Sequence, residues 1–182
     1  MTMPASWQDD VLSFWFGELT PEDWFTSKPA TDAAITERFG ETWSAMRKAV
    51  PAEAFMNADA ALAATLVCDQ FPRNMFRGTA EAFATDPLAL ALARHALAKG
   101  FHQTVGAQRQ TFLFMPFMHS ESLDDQELCV SMFGLSETAK YAIEHRDIIA
   151  RFGRFPHRNR VLGRENTPEE ADFLSEHAGF GQ

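Results

Sequence analysis

Apolar residues along the chain recur at three- and four-residue intervals, and no stretch alternates in the manner of a half-buried strand. Trp7, Val11, Phe14 and Trp15 share one helical face behind Ser6, a suitable N-cap, and Gly17 is placed to stop that helix. Thr20-Pro21-Glu22-Asp23 opens a short turn ending at Trp24-Phe25. Asp32 opens the next helix, with Ile35, Phe39, Trp43, Met46 and Val50 at helical spacing. Gly40 interrupts it at about 1 kcal/mol relative to Ala. Another helix runs from Asn57 to Gln70 and buries Leu62, Ala63, Leu66 and Val67. Phe71-Pro72 is expected to end it, because proline steers the residue before it out of the helical region.

Asp86-Pro87 reads as an N-cap and first-turn pair for Leu88 to Lys99, closed by Gly100. Gln108 to Met118 is apolar nearly all round, which predicts a central helix, kinked in its last turn by Pro116. Ser122 and Ser136 cap two further helices that stop at Gly134 and Gly153. In the second of these, Tyr141, His145, Ile148 and Phe152 form an apolar stripe. Lys140, Glu144, Asp147 and Arg151 form a polar ladder with pairs at i,i+4. Thr167-Pro168-Glu169-Glu170 is a capping box opening a short C-terminal helix. The pattern predicts an all-α domain over residues 1–182, with about eight helices and short connections.

Composition adds exclusions. Cys68 and Cys129 lie in apolar helical patterns and read as buried thiols, with neither metal nor redox neighbours. No apolar run approaches the roughly 18 residues of a membrane span, and no signal peptide opens the chain, so a cytoplasmic protein is expected. The net charge of -9 argues against general nucleic-acid binding. Against that background, residues 145–164 hold six of the twelve arginines and one acid, Asp147. Such a cluster in an acidic chain points to a local site for negative charge.

The cluster has an echo. Asp69-Gln70-Phe71-Pro72-Arg73-Asn74-Met75-Phe76-Arg77-Gly78 and Gly153-Arg154-Phe155-Pro156-His157-Arg158-Asn159 share Phe-Pro followed by Arg-Asn. In each, Phe-Pro sets an extended exit from a helix and the arginines offer planar forks that match carboxylate or phosphate. Arg73, Asn74, Arg77, Arg154, Arg158 and Asn159 are therefore the candidate ligand-binding residues. His119, Glu121 and His157 are the candidate acid/base groups, with His119 and Glu121 paired at the end of the kinked helix. The competing reading makes the arginines helix caps and partners of surface acids. His145, on an apolar face, reads as a satisfied core histidine ahead of a titrating group near a ligand. No spacing matches a zinc signature, and no metal or organic cofactor is expected. The partner is a small anionic ligand bound in a pocket or, alternatively, an acidic peptide or protein docked on a helical scaffold.

CDQFPRNMFRGTAEAFATDPLAL, FLFMPFMHSESLDDQE and HRDIIARFGRFPHRNRVLGRENTPEE resemble the core of a bacterial family known as domain of unknown function, family 924. VLSFWFGE, Trp24-Phe25 and ITERFG extend the resemblance over nearly the whole chain. It implies an all-helical, tetratricopeptide-like right-handed superhelix. It implies no reaction, and its shared motifs fall on Asp69 to Gly78, His119 to Glu121 and Arg154 to Arg164 without assigned roles.

Overall fold

The computed structural model describes residues 3–134 and 136–176, and among these the regular structure is entirely helical. The helices are α1 (Trp7–Ser13), α2 (Pro21–Phe25), α3 (Pro29–Lys48), α4 (Ala58–Asp69), α5 (Phe71–Met75), α6 (Asp86–Ala98), α7 (Ala107–Met118), α8 (Leu123–Phe133), α9 (Ala139–Phe152) and α10 (Pro168–Glu176). All eight expected helices and the short turn at Thr20 are present; α5 is the addition.

The innermost helix is α4, which is buried from Ala60 to Asp69 and touches α1, α3, α5, α6 and α7. Ala60, Ala61, Ala63 and Ala64 carry no side chain beyond Cβ, so neighbours approach its backbone from every side. Asn57 caps its start by accepting from the Ala60 N–H at 2.8 Å. The aromatic helix α7 is buried from Phe112 to Met118, with Pro116 inside it, and touches α4, α6, α8 and α9. A smaller cluster of Ile148, Ile149 and Phe155, joined by Phe152 and Phe173, docks α10 on the end of α9.

Several boundaries depart from the sequence reading: α9 is capped at Thr138 and not at Ser136, and the first helix does not stop at Gly17 but runs on as a π-helical turn over Phe14–Glu18. The helix expected to open at Asp32 begins at Pro29, leaving Asp32 in the first turn. Thr85 is the N-cap of α6, so Asp86 is its first helical residue. Phe71-Pro72 does not produce an extended exit: Gln70 stays in the right-handed helical region, and α5 starts at once with proline in its first turn. Proline is tolerated there because first-turn N–H groups lack helical partners anyway. The second Phe-Pro does leave extended. Gly153 adopts φ +69°, closing α9, and Phe155 lies at φ -88°, ψ 106° before Pro156. The ladder on α9 is also rearranged, since Arg151 reaches Glu169 at 2.8 Å and Asp147 pairs with Arg146 at 2.7 Å.

Candidate functional site

The two Phe-Pro segments meet. Arg73, on α5, lays its fork on Asp86 with Nη1–Oδ1 2.9 Å and Nη2–Oδ2 3.0 Å. Arg158 donates to the same carboxylate from the other segment, Nη1–Oδ2 3.3 Å. Both guanidinium groups also lie over the Phe83 ring, at 5.6 and 4.6 Å from its centroid. Arg73 is 8 % exposed and Arg158 5 %. Burial, together with the neighbouring Arg73, pushes Arg158 down to about 10.

Arg73 also reaches back one turn to the carbonyl and carboxylate of Asp69, the last residue of α4. Asp69 is fully buried, and its Oδ1 lies 2.8 Å from His119 Nδ1 while Gln70 Nε2 donates to its Oδ2 at 2.6 Å. Burial raises the Asp69 carboxyl, but the His119 ring, Arg73 and the Gln70 bond outweigh it and hold the group below the usual carboxylate range. Burial lowers His119, as does Arg73, against the opposing pull of Asp69. The pair is therefore a carboxylate and a neutral imidazole near pH 7. An ionised Asp69 can only accept, so the His119 proton sits on Nδ1 and the basic lone pair on Nε2.

His119 is held from behind. Gln126 of α8, fully buried, donates to the carbonyls of Met118 and Ser120 at 2.7 Å each, bracketing the histidine. Ser120 in turn donates to Asp125 at 2.7 Å and accepts the Ser122 N–H at 3.2 Å. The carboxylate meeting His119 is thus Asp69, fifty residues away, while Glu121 points elsewhere. It takes both ends of Arg164, at 2.8 and 2.9 Å, and the Phe155 N–H at 2.8 Å. Half-buried Glu121 would rise, but the Arg164 and Phe155 bonds keep it low.

In front of His119 lies a cleft of about 570 Å³ between α2, α5, the end of α7 and the start of α9. Of the nine candidate residues, Arg73, Asn74, Arg77 and His119 line it. Asn74 and Arg77 share Asp32 as partner, at 2.8 Å and at 3.1–3.2 Å. Glu121, His157, Arg158 and Asn159 stand behind this wall; His157 packs 5.4 Å from the Phe155 ring, and Asn159 donates to Asn166 at 2.8 Å. Arg154 faces α10, clamping buried Glu170 at 2.6 and 2.8 Å and the Glu165 carbonyl at 2.8 Å. His145 also lines the cleft, its ring 6.3 Å from that of His119. Its Nδ1 donates to the Tyr141 carbonyl at 2.8 Å, and burial beside His119 pushes it down to about 3. No group of His, Cys, Asp and Glu among the described residues has the arrangement of a metal site.

Sequence reasoning did not single out Asp69 and Asp86 as the acids of this network. One signal was available: Asp69 is the only charged residue in the otherwise apolar run from Ala60 to Gln70, and such a group needs a partner.

A family model described as "Bacterial protein of unknown function (DUF924)" matches residues 11–178. The chain belongs to this family. Among solved structures, a protein of unknown function from Agrobacterium tumefaciens is similar to this DUF924 chain at 39% identity and TM-score 0.89. The match covers 95% of this chain and 99% of that one. A search of curated proteins gives no match. The network and cleft are thus features of a DUF924 protein, and neither comparison brings an activity with it.

Proposed function

We propose that the cleft binds a small molecule bearing a carboxylate or phosphate, and that His119 exchanges a proton with it while Asp69 fixes the ring and its tautomer. The observation that carries this reading is the 2.8 Å bond between buried Asp69 and His119, a residue that also lines the cleft. A buried carboxylate that orients a histidine and leaves the opposite nitrogen basic is a recurrent general-base arrangement. The volume falls in the range of roughly 300–1,000 Å³ typical of small-molecule sites. In this reading Lys140 at the cleft wall meets the acid group, with Arg77 and Asn74 beside it sharing their contact with Asp32, while Arg73 and Arg158 hold Asp69 and Asp86.

The test is proton NMR of the histidine Cε1–H signals, with the His119 resonance assigned from its loss in His119→Gln. Millimolar small carboxylates and inorganic phosphate are expected to move that signal and raise its titration midpoint. A set of such acids that leaves His119 unmoved refutes the reading.

A further inference from the structure

The polar edge at His119 is one side of the cleft, and the other side is apolar and partly uncovered. Trp24 is anchored: its Nε1 donates to the Trp15 carbonyl at 2.8 Å and its ring stacks on Trp15 at 6.3 Å, 15° between planes. With Trp24 fixed, Phe25 at the end of α2 is left 66 % exposed, one face parallel to Phe112 at 6.4 Å. Tyr141, from α9, is 49 % exposed. Both rings line the cleft, together with Met115 and Met118, whose flexible thioethers adapt to varied apolar shapes.

Charge alone supplies little affinity here. Around the cleft, Arg73, Arg77, Arg158 and Lys140 are balanced by Asp32, Asp69, Asp86 and Glu137. A polyanion would meet no net positive field, so the favourable contribution must come largely from covering apolar surface. Lys140 adds a directed contact: its ammonium, 4.9 Å from the centre of the Tyr141 ring, sits beside the exposed apolar wall.

We propose that the ligand of this cleft is an amphipathic monoacid, whose aryl or acyl body covers Phe25, Met115 and Tyr141 and whose single acid group meets Lys140. This rests on the ligand-binding reading above and specifies its substrate class. An apolar body is what makes the half-exposed rings productive, and one negative charge is what the balanced wall tolerates.

Calorimetric titration with acetate, inorganic phosphate, 3-phenylpropionate and neutral 3-phenylpropanamide, backed by the His119 signal, tests it. 3-Phenylpropionate is expected to bind about tenfold or more tightly than acetate or phosphate, because it alone among the acids covers the rings. The amide should bind more weakly than the matching acid. Phe25→Ser, at an exposed position, should fold normally and lose most of the advantage of 3-phenylpropionate over acetate. Three results overturn the proposal yet leave the site reading standing: acetate or phosphate binding as tightly as 3-phenylpropionate, an amide as tight as the acid, or an aryl advantage that survives Phe25→Ser. If no acid binds or moves His119, the underlying reading falls, and this one with it.

Discussion

Asp86→Asn removes the carboxylate on which the two Phe-Pro segments converge while keeping its shape. Arg73 would retain Asp69, but Arg158, 5 % exposed, would lose the acid it touches at 3.3 Å. Breaking a buried ion pair from one side costs about 3–5 kcal/mol, since it leaves a desolvated charge uncompensated. Asp86 keeps some solvent contact and asparagine can still accept a hydrogen bond, so about 2–4 kcal/mol is expected. In a chain of this size that lowers Tm by roughly 4–16 °C. Arg151→Gln is the control: its pair with Glu169 is half-exposed on both sides, and its loss should cost less than about 1 kcal/mol. Urea unfolding at pH 7 with unchanged m-values measures both. Adding Arg158→Met to Asp86→Asn removes the orphaned charge, so the double variant should be more stable than the sum of the singles by more than about 1 kcal/mol. An Asp86→Asn cost no larger than that of Arg151→Gln, or strict additivity with Arg158→Met, refutes the account of a dry, mutually compensating network.

Two more predictions follow from the same geometry. His145 is neutral when folded, with its proton affinity pushed down to about 3, and His119 is lowered too. The unfolded chain takes up a proton on His145 below about pH 6.5 while the folded chain does not, so stability is full above that value and falls as pH drops towards 3, with His119 adding in the same direction. The His145 contribution should approach about 1.4 kcal/mol per pH unit, so a folded His145→Gln variant should show a shallower slope, and flat stability of the parent protein between pH 6.5 and 4.5 refutes the account. Arg154→Ala removes the two-point clamp on Glu170 and should loosen α10. Hydrogen exchange should then speed up over 168–176 and stay unchanged at Met118 and His119; the opposite distribution would contradict the clamp.

Much of the helical layout is legible from spacing and caps, as with Gly153 closing α9 and the box at Thr167, whose N–H meets Glu170 at 2.7 Å while the Glu170 N–H meets Thr167 Oγ1 at 3.1 Å. α5 escapes that reading because one dipeptide, Phe-Pro, has two outcomes. At Phe155 the preceding glycine has already broken the helix. At Phe71, Gln70 keeps helical angles, and the chain can restart with proline in a first turn. The site is legible in part for a different reason. The arginines announce themselves by clustering, but their partners do not: Asp69 and Asp86 are single acids at helix ends, and the spacing rules equally well make Asp86 a capping residue. Nor does local sequence distinguish His119 facing Asp69 from His119 facing Glu121, a choice set by how α7 packs on α4.

The network also joins residues made far apart along the chain. Asp86 and Arg158 lie 72 residues apart, Asp69 and His119 lie 50, and Glu121 and Arg164 lie 43. Each link closes a long loop before it gains a contact, and such contacts form late. A growing chain has Asp69, Arg73 and Asp86 well before it has His119, and all of these before Arg158. Until the segment after α9 docks, two acids share one arginine. The segment after α9 thus completes the charge balance begun by α4, α5 and α6.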